Sequence, residues 1–388
     1  MHQSLVFNRT DLAKRMADQI LLNSVGSASS SGLFLAAPRR TGKSTFLRED
    51  LRPQLEATGA LVLYVDLWAD KKSDPGSVIV SAVRAELSQH EGVVARLARS
   101  AGMEKISVGG VAFSLDRVGL SAQVSLSTAM AALSDDAKRL VVLIIDEAQH
   151  AVTTESGYDA LFALKAARDE LNGSAHFGLR IVATGSNRDK LAVLRTSKEQ
   201  AFFGAPLVSF PPLGDDFVEW FCNGVSLPAP LRPADVAPLF KRALHRPEVL
   251  GAAADAIRFD FSLNPADVAR RFAQAVEDQI QAADQQTLRV IHALTPLQLA
   301  VLSVLSDKGD TYAPFEGATF DAYRAALTAI APDEITKPDV PNVQQALVAL
   351  QEKSLVWKEK RGVYALEDST LTELLSKHGL RGAVPRGT

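Results

Sequence analysis

The sequence predicts an α/β fold. A parallel sheet with helices on its faces comes first, then an all-helical stretch, then a C-terminal unit of three helices and a hairpin. Three observations carry this. Short apolar runs at 33–36, 61–65, 140–145 and 179–184 alternate with helical patterns, the order that builds parallel strands into one sheet. Two of the runs end in polar tips, Pro38-Arg39-Arg40-Thr41-Gly42-Lys43-Ser44-Thr45 and Asp146-Glu147, and open α/β sheets hold ligands beyond the carboxyl ends of their strands. From Asp215 to about residue 354 strand signals are absent and helical periodicity takes over.

Composition narrows the class. A chain of 388 residues suggests two to three domains, and 47% hydrophobic with 22% charged residues is the balance of a folded protein with a sizeable core. The net charge of −3 gives no global basic field, so any nucleic-acid contact needs a local patch. Cys222 is the single cysteine. That excludes a disulfide framework and a cysteine metal site, and its apolar helical setting predicts a buried, inert thiol. MHQSLVFNRTDLAKR lacks the apolar run of a signal peptide, and no run approaches 18 apolar residues. A cytoplasmic protein without a membrane span is the expectation.

In chain order, Leu5 to Arg9 precede a helix with Asp11 as its expected cap and Leu12, Met16, Ile20 and Leu21 at helical spacing. Ser24 to Gly32 is a Ser/Gly-rich connector into the strand Leu33–Ala36. The next loop and helix start follow the spacing Gly, four residues, Gly-Lys-Ser/Thr that cradles phosphate, with Ala37 where the first Gly is expected. Backbone N–H groups of such a loop, with the positive end of the following helix, hold an anion. Lys43 then reaches the β- and γ-phosphates and Ser44 offers its hydroxyl to Mg²⁺. Ala37 costs little at negative φ and more at positive φ. A basic strand-to-helix turn without ligand is the alternative for this stretch taken alone. Phe46, Leu47 and Leu51 give the helix its core face.

Leu61 to Val65 is a second buried strand ending at Asp66, and Ser73-Asp74-Pro75 starts a helix with Ile79, Val83 and Leu87 on one face. Residues 106–126 alternate apolar and polar with glycines between, which predicts an inserted β-hairpin or small sheet. Leu140 to Ile145 reads as a central strand covered on both faces. At its tip Asp146 is expected to hold Mg²⁺ and Glu147 to orient the attacking water, unless the pair only caps the next helix. Leu161, Leu164 and Leu171 mark that helix. After the strand 179–184, Ser186 or Asn187 is placed to sense a γ-phosphate, and Arg188 to meet phosphate charge or a surface acid. Residues 202–210 lead through one more strand.

Phe217, Trp220 and Phe221 open the helical stretch, with further helices over 232–243, 247–258 and 265–284. Pro247 suits a first helical turn. The division expected is a core over 1–213, a small helical domain over 214–288 and a third unit over 289–388. In the third, helices begin at Thr295-Pro296, cover about 319–330, and begin again at Pro341-Asn342. Two strands then flank Arg361-Gly362. Three helices and a hairpin make a winged helix, whose third helix would read a DNA groove with Gln344, Gln345, Gln351 and Lys353. Lys358, Lys360 and Arg361 of the wing would meet phosphates. Acids slightly outnumber bases over 289–388, so a protein contact is the competing use of this unit.

The ordered set APRRTGKST, LIIDEAQ, IVATGSNR, helical domain and winged helix resembles P-loop ATPases of the AAA+/STAND class. The prokaryotic archaeal-type ATPases and the origin-recognition ATPases share this layout. The resemblance implies ATP and Mg²⁺ as cofactors, with Lys43 and Ser44 in the Walker A role and Asp146 and Glu147 in Walker B. It implies Asn187 or Ser186 as sensor 1, with Arg188 similar to the Arg ending the STAND motif. It also implies Asn8-Arg9 beside the adenine, Pro247 as a lid proline packing on the base, Arg246 as a sensor 2 match and Arg195 as a trans-acting finger in a homo-oligomer. The function expected is an ATP-hydrolysing switch that couples nucleotide state to DNA or protein binding. The alternatives are a nucleotide-stabilised interaction protein with little turnover, and a mobile-element or defence ATPase that binds DNA.

Overall fold

A computed structural model of the chain describes residues 6–22, 28–37, 40–70, 72–100, 118–120, 123–173, 176–186, 188–196, 200–360, 362–367 and 370–380. The chain divides into two compact units, Met1–Trp220 with His245–Pro247, and Phe221–Leu244 with Glu248–Thr388.

The first unit is built on β1 (Leu33–Ala36), β2 (Leu61–Asp66), β3 (Val118–Gly119), β4 (Val124–Ser125), β5 (Val141–Asp146), β6 (Leu179–Gly185) and β7 (Leu207–Ser209). Five of these form one parallel sheet in the order β2-β5-β6-β1-β7. Side chains alternate between two cores. Phe34, Leu63, Val65, Leu143, Ile145 and Ile181 enter one, and Leu35, Val62, Val142, Ile144 and Val182 enter the other. A sheet covered on both faces needs an apolar residue at every strand position, so the strands read in sequence as unbroken apolar runs.

Local chemistry sets the helices around the sheet. The first runs Thr10–Leu21 and buries Ala13, Ala17 and Ile20, with Arg9 rather than Asp11 at its N-cap. Asp11 lies in the first turn, where its charge still meets the helix's positive end. The helical run after β1 consists of Lys43–Phe46, a π-turn Leu47–Leu51, and Arg52–Ala57. Pro53 stands at its second junction, and a proline ring inside a regular α-helix clashes with the preceding turn, which a π-turn accommodates. Asp74 caps Pro75–Leu87 by accepting from the Ser77 N–H at 2.9 Å. A helix over Glu91–Ser100 was not expected from the sequence. Within the 106–126 stretch, β3 and β4 pair in parallel, so this is a small sheet and not a hairpin; residues 106–117 and 121–122 lie outside the described residues.

The second unit holds Pro233–Arg242, Pro247–Arg258 from Glu248 onward, and Val268–His292. The last helix is continuous past residue 288, and its Leu288 and Ile291 join the C-terminal core. That core gathers Leu297, Val301, Leu305, Tyr323, Leu347 and Leu350 from Pro296–Lys308, Gly317–Ile330 and Val340–Glu352. A capping box at Thr295 and Gln298 starts the first of these. Asp339, not Pro341-Asn342, caps the third, accepting from the Asn342 N–H. The strands β8 (Val356–Lys360) and β9 (Val363–Leu366) pair antiparallel, and a helix Thr370–Lys377 follows. Cys222 is a buried free thiol, and burial, with the Asp235 charge, pushes its pKa up. No helix among the described residues is long and apolar enough to cross a membrane.

Candidate phosphate-binding site

The loop from β1 to its helix contains the strained backbone a tight anion loop needs. Gly42 has φ 84° and Arg40 has φ 63°, a region where glycine is at ease and other residues are strained. Ala37 lies outside the positive-φ set, is buried, and donates its N–H to the Gly185 carbonyl at 3.1 Å. Replacing the first glycine of the motif therefore carries no backbone cost. Arg40 and Thr45 are exposed and Thr41 is buried. Pro38 and Arg39 lie outside the described residues.

Strand order decides what faces this loop. β6 lies between β1 and β5, with Leu35 level with Thr184 and Ile145 level with Ala183. Thr184 therefore sits between the phosphate-loop strand and Asp146. The Lys43 ammonium is bonded to Asp146, lies 3.1 Å from Thr184 Oγ1 and 3.3 Å from Glu147 Oε1. Thr184 donates to the same Asp146 oxygen, and Tyr64 OH donates to Asp146 Oδ2 at 3.1 Å. Burial works to raise the Asp146 pKa, but the Lys43 charge and hydrogen bonds from Lys43, Ser44 and Thr184 outweigh it and hold the carboxyl below its ordinary range. Burial and the neighbouring carboxylates Asp146 and Asp66 push the Tyr64 phenol up, which keeps it a donor.

Glu147 has φ 54° and ψ 42° and begins a 3₁₀ turn, Ala148–Thr153. Its Oε2 accepts from Gln149 Nε2 at 2.6 Å and Ser186 Oγ at 2.9 Å. Thus Lys43, Ser44, Asp146, Glu147 and Ser186 share one cluster at the carboxyl end of the sheet. Asn187 and the side chain of Arg188 lie outside the described residues. Strand order brings Thr184 and Tyr64 to this cluster, and the 3₁₀ turn after Glu147 folds Gln149 back onto it, so none of the three is marked by a sequence motif. A Thr next to last in a mostly apolar strand, just before Gly185, was the available signal.

Asn8 is exposed at the start of the first helix. Arg9 gives its backbone N–H to Asp50 Oδ1 at 3.0 Å and its guanidinium to the carbonyls of Pro211 and Pro212 at 2.8 and 3.2 Å, over the Phe210 ring. That guanidinium ties the N-terminal segment to the loop after β7. Arg195 gives its Nε–H to the Ala205 carbonyl, a local tie. Leu244 and His245 both have φ 56°, and the His245 ring, at Nδ1, lies 2.8 Å from the Leu213 carbonyl oxygen, which places His245-Arg246-Pro247 with the first unit.

The chemistry of the donors suits a magnesium–triphosphate. One cation at a loop, one hydroxyl beside one ionised carboxylate, and a second carboxylate next to it are the set that such an ion uses together with phosphate oxygens. A cage of three or more His, Cys, Asp or Glu is absent among the described residues. Mg²⁺ of this kind does not need one, since phosphates and water complete its shell.

No protein-family profile and no curated protein matches the chain. Solved structures do. The Walker-type ATPase of Pyrococcus abyssi is similar over 96% of this chain and 96% of its own, with a TM-score of 0.55 and 16% identity. The ORC2 protein of Aeropyrum pernix in its ADP form is similar over 97% and 94%, with a TM-score of 0.56 and 15% identity. The fold is therefore an α/β P-loop NTPase fold resembling the origin-recognition ATPases.

Proposed function

We propose that the chain is an ATP-binding and hydrolysing switch of the AAA+/STAND kind, which couples nucleotide state to the binding of DNA or protein. The observation that carries the reading is the meeting of Lys43 and Ser44 with Asp146 and Glu147, from strands separated in the sheet by β6. The Lys43 ammonium pairs with the Asp146 and Glu147 carboxylates. With ATP bound, the phosphate charge competes for it, and Lys43 moves to the β- and γ-phosphates while Pro38 to Thr45 line the anion. Ser44 and Asp146 would hold Mg²⁺, which neutralises phosphate charge when bound. Glu147 takes a proton from the attacking water as oxygen bonds to the γ-phosphorus and the bond to the β-phosphate bridge breaks, releasing ADP and phosphate. Ser186 or Asn187 senses the γ-phosphate, Arg188 meets its charge, and Asn8-Arg9 and Pro247 border the base.

In this reading 1–213 is the catalytic core, 214–288 a lid and 289–388 a winged helix. The three helices and antiparallel ribbon of the last segment support it. Gln344 and Gln345 are exposed on Val340–Glu352, opposite the buried Val343, Ala346, Leu347 and Leu350, and Lys353 is exposed just beyond. Residue 361 and the side chains of Lys358 and Lys360 lie outside the described residues. Two substitutions test the core. K43A is expected to abolish ATP binding by calorimetry. E147Q is expected to keep binding and lose turnover, and a native rate in E147Q would remove Glu147 from the base role.

A second reading, a nucleotide-stabilised interaction protein with little turnover, is favoured by one observation. Both Glu147 oxygens are engaged, one by Lys43 and the other by Gln149 and Ser186. Single-turnover ATPase assays separate the two readings.

A further inference from the structure

We infer that Gln149 is a positioning residue that aims the Glu147 carboxylate, and that Gly185 exists as glycine to admit it. The inference rests on Glu147 acting as the base of the proposed ATPase.

Gln149 is 5% exposed. An amide atom 2.6 Å from a carboxylate oxygen must be the N–H₂ end, so Nε2 donates to Glu147 Oε2 and the amide orientation is settled by its partner. The other end of the amide, Oε1, is buried and has no hydrogen-bond partner among the described residues. Burying an unpaired amide oxygen is unfavourable, and a Leu or Met would fill the space without that cost. What retains glutamine here is therefore its N–H group.

The neighbouring strand is shaped to match. A Cβ on Gly185 would stand 2.5 Å from Gln149 Oε1, closer than van der Waals contact allows. Gly185 closes β6 outside the positive-φ region, so the backbone itself would accept alanine. The same Cβ would stand 3.2 Å from Leu191 Cδ1, so the Gln149 amide is the nearer of two side chains that glycine makes room for.

The consequence is directional. Gln149 and Ser186 pin one oxygen of a carboxylate whose backbone is in the left-handed region. The other oxygen, Oε1, faces Lys43 at 3.3 Å. When Lys43 is drawn to phosphate, Oε1 becomes the lone-pair bearer for the attacking water, and Oε2 stays fixed. Gln149 touches neither nucleotide nor water in this account; it acts through Glu147.

The test uses the full chain with Q149L, which keeps the bulk and loses the donor, and G185A, which crowds the amide out by a separate route. Both are expected to lower kcat by about 10-fold or more while the ADP dissociation constant stays within about twofold. In an E147Q background, adding Q149L is expected to change the residual rate less than twofold, because the residues act as one unit. A structural defect would instead lower it again. Independently of turnover, a crystal structure of nucleotide-free Q149L is expected to show the Glu147 carboxylate displaced from Ser186. Native kcat in Q149L and G185A with E147Q inactive would overturn the positioning role and leave the ATPase reading intact. Native turnover in E147Q would instead sink the ATPase base that both rest on. An unmoved Glu147 in Q149L overturns the inference whatever the rate.

Discussion

Asp146 is the residue on which the site's electrostatics turn. It is fully buried, yet Lys43, Ser44, Thr184 and Tyr64 surround its two oxygens with donors. A carboxyl whose folded pKa lies below its unfolded value contributes stability above the unfolded pKa, near ~3.9, and loses it as pH falls through the folded pKa. D146N removes that contribution and leaves Lys43 with Glu147 as its remaining carboxylate partner. The expected loss at pH 7 is about 3 kcal/mol, the low end for breaking a buried pair. The gap between the native chain and D146N should narrow below pH ~4, which urea melts at pH 7 and pH 3.5 measure. A gap constant across that window would mean that Asp146 titrates alike folded and unfolded.

At the scale of elements, backbone contact between helices and turns fixes where the turn after Glu147 lies. The helix Glu155–Gly173 starts so close to the turn Ala148–Thr153 that a Cβ on Gly157 would meet the Ala151 carbonyl oxygen at 2.0 Å. Gly76 makes a similar approach to Ser156. A backbone carbonyl cannot swing aside as a side chain can. G157A is thus expected to cost about 3 kcal/mol, the upper range for overpacking. Gly251, inside Pro247–Arg258, has nothing within 4 Å of an added Cβ. G251A is expected to stabilise by about 0.5–1 kcal/mol through helix propensity. Chemical denaturation of both variants checks the opposite signs; equal effects would show that proximity at Gly157 is not limiting. Neither approach was readable in the sequence, where both glycines look like ordinary helix-start residues. The caps were partly readable. Asp74 and Thr295 act as their local pattern suggests, whereas Asp339 displaced the expected Pro341-Asn342 because proline and its neighbour already lie inside the helix.

For the whole molecule, ligand and charge give the measurable quantities. A nucleotide that binds only the folded state at 100 times its dissociation constant stabilises by about 2.7 kcal/mol. ATP with Mg²⁺ is therefore expected to raise the melting temperature of the native chain and leave K43A unmoved; an equal rise in K43A would place the nucleotide elsewhere. With a net charge of −3, DNA binding through the C-terminal segment would depend on few phosphate contacts. Its affinity is expected to fall with salt, each contact adding about 0.9 to the logarithmic slope. A flat response in a shift assay between 50 and 200 mM salt would point to a protein partner.

Sequence by itself determined the central strands, the Gly-Lys-Ser turn after β1 and the acidic strand tip. Unbroken apolar runs, a Gly-Lys-Ser step and an Asp-Glu pair are local patterns, set by residues a few positions apart. The tertiary structure decided what those groups touch. Lys43 meets Asp146 across 103 residues of chain and Thr184 across 141, and it does so because β6 lies between the two strands. Strand order depends on which apolar faces pack together across the whole unit, and no local pattern contains that. The contacts of Thr184 and Tyr64 with Asp146 were beyond reach of the sequence for the same reason.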